Sequence, residues 1–166
     1  MSGSNPTDYS NDSTKLSVEA VAELLSKGRA LIQTGEFSGA QSCMERLLSD
    51  YPNHSEALYF TAVAQRFSEN YQSALSSLQK LIEIEPTYGR AWQERGHILM
   101  AQGEIADARA SFQQAVIHNG SLIASWQMLM TLTDLPVDQK AYDFFEDKFQ
   151  RLAALPPELL GVRNMM

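Results

Sequence analysis

A thirty-four-residue period governs this chain. Written in rows of thirty-four from Val21, the sequence places Leu24, Leu58, Trp92 and Trp126 in one column and Gly28, Ala62, Gly96 and Met130 four residues later. Ala40, Ala74 and Ala108 form a third column, and Met44, Leu78 and Phe112 a fourth. Leu47, Leu81 and Ala115 follow, then Leu48, Ile82 and Val116, while Pro52 and Pro86 close the first two rows with Gly120 in the matching place. A period of this length means a stacked array of one supersecondary unit, each unit burying its apolar face against its neighbours.

The columns specify that unit. Each half-row carries apolar residues at the spacing of an amphipathic helix. The halves are separated by short polar breakers, Thr34-Gly35-Glu36, Ser68-Glu69-Asn70 and Gln102-Gly103-Glu104. Helices joined by so short a turn are antiparallel neighbours. The Gly/Ala and Ala columns fall where their backbones approach most closely, with a large side chain such as Trp92 or Phe112 filling the adjacent space. Proline at the row end stops the second helix.

This pattern resembles the tetratricopeptide repeat family, whose motif is a large apolar residue, then Leu-Gly, Tyr, Ala, Phe, Ala and Pro at fixed offsets. Row three carries Trp92, Gly96, Leu99, Ala108, Phe112 and Ala115; row two Leu58, Ala62, Tyr71, Ala74, Leu78, Leu81 and Pro86; row one Leu24, Gly28, Leu31, Ala40, Leu47 and Pro52. Gln65 and Gly120 depart from it without breaking register. The resemblance implies an all-α fold, a right-handed superhelix of antiparallel helix hairpins with about four repeats.

The domain expectation is a disordered leader over 1–16, an array over 17–155 in rows of about 21–54, 55–88, 89–122 and 123–155, and the start of a capping or further helix over 156–166. The fourth row is degenerate. Its turn is Leu135-Pro136-Val137-Asp138, with Asp138 as the expected N-cap, and Ala141 comes one residue early. The leader is rich in Ser, Asn, Asp and Thr.

Composition excludes several classes of function. Hydrophobic residues make up 44% of the 166, enough for a sizeable core. A formal charge of −7 argues against nucleic acid and anionic membrane surfaces as partners. No stretch approaches the ~20 apolar residues of a membrane helix. The single Cys43 permits no internal disulfide and fits a reducing, cytoplasmic setting. Phosphate loops, nucleophile elbows and His-Glu-x-x-His are missing, and His54, His97 and His118 lie far apart with no ligand-spaced partners. The expectation is therefore no enzyme within these residues, no metal and no cofactor. Asp143, Glu146 and Asp147 read as a solvated helix face.

What remains is the groove. The resemblance implies that the first helices of successive repeats line a concave surface that takes a protein or peptide segment. The positions implied to face it include Arg29, Glu56, Tyr59, Arg66, Phe67, Arg90, Gln93, His97 and Gln127. Three arginines and two aromatics on an otherwise acidic protein suit an acidic or carboxylate-bearing peptide. The clamp by which some family members hold the C-terminal carboxylate of heat-shock chaperones is not expected. Its positions here hold Leu25, Arg29, Phe60, Arg90 and Glu94, of which Arg90 alone has suitable chemistry.

The leading expectation is an interaction scaffold, stand-alone or the arm of a larger enzyme. Ala91–His97 and Leu152–Leu159 also resemble repeat segments preceding sulfotransferase domains in bacterial proteins. A secretion-type chaperone holding an unfolded partner is the alternative. A homodimer through the apolar edge of the last repeat is a third.

Overall fold

The computed structural model describes residues 15–133 and 139–156. Expectations for the leader up to 14, for the turn at 134–138 with its Asp138 cap, and for 157–166 fall outside the described residues. Among the described residues there are eight α-helices and no strand: α1 Val18–Thr34, α2 Phe37–Asp50, α3 Ser55–Phe67, α4 Tyr71–Ile84, α5 Gly89–Ala101, α6 Ile105–His118, α7 Ile123–Thr131 and α8 Gln139–Ala153. Each odd-numbered helix packs on the even-numbered helix that follows it, and α1, α3 and α5 also touch in sequence along one side. The fold is an α-solenoid of helix hairpins.

Local chemistry sets the helix ends. Ser17 caps α1, its Oγ accepting from the Ala20 N–H at 3.2 Å. Leu16 is not loose: its N–H donates to Asp50 Oδ2 at 2.9 Å, and the Tyr51 hydroxyl donates to its carbonyl at 2.8 Å. Those bonds tie the start of α1 to the end of α2. Within each of the first three hairpins the turn passes through a left-handed residue, Gly35 at φ 83°, Glu69 at φ 59° and Gly103 at φ 81°. Glycine adopts that conformation without a steric cost, and glutamate does not.

Close helix approach follows from paired columns. Ala40, Ala74 and Ala108 are fully buried. Gly28 faces Met44, and Gly96 faces Phe112; a Cβ on Gly96 would sit 2.7 Å from the Phe112 ring. In the second hairpin the same two columns hold Ala62 and Leu78, both buried. The large-with-Gly and medium-with-Ala pairings keep the interhelical volume nearly constant.

Gln65, the polar departure in row two, meets a polar partner. Its Oε1 accepts from Ser77 Oγ at 2.9 Å across the α3–α4 interface. Gly120 in the proline column is explained the same way. The Trp92 indole donates to the Pro86 carbonyl at 2.8 Å, and the Trp126 indole donates to the Gly120 carbonyl at 3.0 Å. The bond recurs at the repeat spacing and needs only a backbone oxygen, which either residue supplies.

One apolar core runs through the first two hairpins to α5, and a second, from Leu99 and Phe112 to Trp126, Leu129 and Phe145, joins the third to the fourth. Helix α7 has 9 residues where α3 and α5 have 13. None of the described helices is long and apolar enough to cross a membrane.

Candidate functional site

Stacking α1, α3 and α5 leaves a cleft of about 930 Å³ along their exposed side. Helix α1 contributes Arg29, Ile32 and Gln33. Helix α3 and its cap contribute His54, Ser55, Glu56, Tyr59, Phe60 and Val63, and Tyr88 and Arg90 come from the start of α5. Its lining mixes charged and polar side chains with the apolar Ile32, Phe60 and Val63.

Its floor is aromatic. Tyr59 packs against Phe60 and Tyr88 with centroid separations of 5.5 and 5.6 Å. Arg29 lies over the Phe60 ring at 5.4 Å and Arg90 over the Tyr59 ring at 5.5 Å, both within cation–π range. Val63 and Tyr59 are buried beneath this surface. His54 is the α3 cap: its Nδ1 accepts from the Ala57 N–H at 3.3 Å, which fixes the imidazole at the rim.

Charge along the first helices is largely cancelled by the fold. Arg29 Nη2 binds Glu56 Oε1 at 2.7 Å, and Arg66 Nε binds Glu94 Oε2 at 2.6 Å. Both bridges join consecutive first helices. The first is exposed and contributes little, whereas Glu94 is only 5% exposed and depends on its partner. Arg90 makes no ion pair among the described residues, so of the three arginines it is the cation left for a ligand.

The two phenols stay protonated. Burial, followed by the Glu94 charge, pushes Tyr59 well above the usual 10, against the opposing effect of Arg90. Burial pushes Tyr88 up to about 12, with Arg90 the strongest charge acting on it, ahead of Glu56 and Glu85.

The cleft therefore brings together Arg29, Glu56, Tyr59 and Arg90 of the expected residues. The others lie elsewhere. Arg66 is consumed by Glu94, and its guanidinium covers the Phe67 ring at 4.1 Å. Phe67 stacks on Phe37 of α2 at 5.2 Å, at the hairpin turn and away from the cleft floor. Gln93 Oε1 accepts from Ser125 Oγ of α7 at 2.9 Å, and Gln127 is exposed on α7. His97 is half-buried, edge-on to Phe112 at 5.1 Å. Burial holds its pKa below 6.5, Glu94 opposing and Arg66 adding to the shift. The repeat pattern does not project Tyr88, Ile32 or His54 into the groove, and Phe60 enters it only as a clamp position without clamp chemistry. Tyr88 is the instructive omission: it closes row two in the link before α5, outside the helical positions that the pattern projects, yet its ring lands on Tyr59.

Two family models, both for the tetratricopeptide repeat, match residues 25–89 and 68–132. Over 97 residues, 58% of its length, the chain is 31% identical to a probable biofilm formation methyltransferase, WspC, of Pseudomonas putida. That stretch is 23% of the methyltransferase, and the chain spans about a fifth of the length of the curated relatives it matches. An O-GlcNAc transferase variant of Thermobaculum terrenum superposes with TM-score 0.72 at 20% identity, over 80% of this chain and 26% of that one. The first TPR of Spaghetti (RPAP3), bound to the HSP90 peptide SRMEEVD, superposes with TM-score 0.65 at 15% identity, over 72% of this chain and 94% of that one.

Proposed function

The chain belongs to the tetratricopeptide repeat family, and on that premise we propose that it is an interaction scaffold whose α1–α3–α5 cleft captures an acidic peptide segment of a partner protein. The observation that carries this reading is the lone unpaired Arg90 above an aromatic floor. An apolar side chain of the segment rests on Tyr59, Phe60 and Val63, and a carboxylate faces Arg90. The RPAP3 repeat, which shares this fold and is bound to an HSP90 peptide, supports a peptide as occupant. No chemistry on the ligand is part of this reading, and a reducing, cytoplasmic setting is. The methyltransferase match and the transferase superposition support a second arrangement, in which the array is the recruiting arm of a longer enzyme.

The test is a synthetic peptide array of acidic, neutral and basic segments probed with the purified chain. Wild type is expected to retain acidic segments, and Arg90→Glu to lose them while keeping its thermal stability, because Arg90 is exposed and unpaired. Arg66→Glu is unsuitable as a binding probe, since it strands buried Glu94. Equal retention of acidic segments by wild type and Arg90→Glu would refute the proposal.

A further inference from the structure

Tyr59 is 8% exposed, lines the cleft, and its hydroxyl has no hydrogen-bond partner among the described residues. Tyr88 beside it is half-buried, lines the same cleft, and its hydroxyl likewise has no hydrogen-bond partner among the described residues. Buried hydroxyls are ordinarily satisfied within the protein, as at Ser111 and Ser125 here, whereas the two phenols have only solvent or a ligand to bond. Both phenol oxygens are open to the cleft, beside a guanidinium that makes no ion pair among the described residues, so each can donate to a bound acceptor.

We propose that the Tyr59 and Tyr88 hydroxyls and the Arg90 guanidinium form a receptor for a single side-chain carboxylate, an Asp or Glu of the bound segment, with both phenols donating to it. This deepens the acidic-peptide reading and rests on it. Phenols have the right chemistry: they are uncharged donors that keep the proton, so they add hydrogen bonds without adding charge to the site. Their rings sit 5.6 Å apart, and Arg90 lies 5.5 Å from the Tyr59 ring. The neighbouring acids do not compete for the same cation, because Glu56 is held by Arg29 and Glu94 by Arg66. One unpaired cation suits one carboxylate. A chain-terminal carboxylate together with an acidic side chain would bring two negative charges to that one cation.

The experiment uses the full chain and three dye-labelled peptides in fluorescence polarisation. The first is acetyl-Ala-Leu-Glu-Leu-Ala-amide, the second its Gln analogue, and the third the Gln analogue with a free C-terminal carboxylate. Wild type is expected to bind the Glu peptide at least tenfold more tightly than either Gln form, about the effect of one hydrogen bond to a charged acceptor. Tyr59→Phe and Tyr88→Phe are each expected to weaken the Glu peptide by about tenfold and leave the Gln peptides unchanged. Neither substitution should lower the melting temperature, since no internal hydrogen bond is removed. Equal or undetectable binding of all three peptides by wild type overturns the proposal, as does preference for the free C-terminus. Should wild type prefer the Glu peptide and lose it on Arg90→Glu, but ignore both Tyr→Phe changes, the groove reading stands and the phenol receptor falls.

Discussion

Replacing Gly96 by Ala tests the pairing of small and large columns most sharply, because its sign is not obvious. In an exposed helix the change is stabilising by about 1 kcal/mol through backbone propensity. Here the new Cβ would stand 2.7, 2.8 and 2.9 Å from three carbons of the Phe112 ring. Phe112 is fully buried, planar, and packed edge-on by His97, so the ring cannot fold away from the intruder. Overpacking of this kind costs about 3 kcal/mol at the upper end of its usual range. The net expectation is a loss of about 2 kcal/mol, which lowers the melting temperature by roughly 4–8 °C in a chain of this size. Gly28→Ala is the control: its Cβ would meet the terminal methyl of Met44, a flexible thioether that can swing aside, so the change is expected to be near neutral. The second hairpin supplies the rescue. Combining Gly96→Ala with Phe112→Leu copies the Ala62 and Leu78 pair, and the two changes should couple favourably by about 1–2 kcal/mol. Urea unfolding followed by far-ultraviolet circular dichroism reads wild type, Gly28→Ala, Gly96→Ala, Phe112→Leu and the double variant. The reasoning is refuted if Gly96→Ala matches or exceeds wild type, or if the double variant is only the sum of its parts.

Glu69→Gly removes a side chain held at φ 59°, where its counterparts Gly35 and Gly103 are glycine, and should raise stability by about 0.5–1 kcal/mol in urea unfolding. Arg66→Gln leaves the buried Glu94 without its partner and should cost about 3 kcal/mol, whereas Arg29→Gln breaks an exposed bridge and should cost less than about 1 kcal/mol in the same assay. His97 has a folded pKa below 6.5, so the unfolded chain binds the extra proton first as pH falls. Stability contributed by neutral His97 is therefore present above pH 6.5 and lost as pH drops from there through the folded value. A His97→Gln variant should show a shallower loss of melting temperature over that range.

How much of this molecule can be read from its sequence depends on whether the signal is periodic. The helices, their antiparallel pairing and the glycines at close approach all recur every thirty-four residues, so each column supports the others. Even the departures obey local rules that a column cannot display. Gln65 is tolerated because Ser77 faces it, and Gly120 because the Trp126 indole needs a carbonyl and not a proline ring. The left-handed Glu69 is likewise invisible to composition; its position in the turn column beside Gly35 and Gly103 is the only clue.

The groove was less legible, for a physical reason. Counting arginines at groove positions treats each as a free charge, yet a first helix in such an array always lies against the next one. Arg29 and Arg66 stand 27 and 28 residues before the carboxylates that neutralise them, a spacing set by the stacking of neighbouring helices and not by either helix alone. A charge reading must therefore be made across repeats. Made that way, Arg29 pairs with Glu56 and Arg66 with Glu94, and Arg90 is left over. On the proposed reading, specificity rests on a single guanidinium and the aromatic floor beneath it. A ligand rich in negative charge gains little beyond its first carboxylate, so affinity should track where one acidic side chain falls relative to an apolar one, and not the ligand's total charge. Scrambling an acidic segment at constant composition is the corresponding test: binding that survives scrambling would show that the cleft reads bulk charge after all.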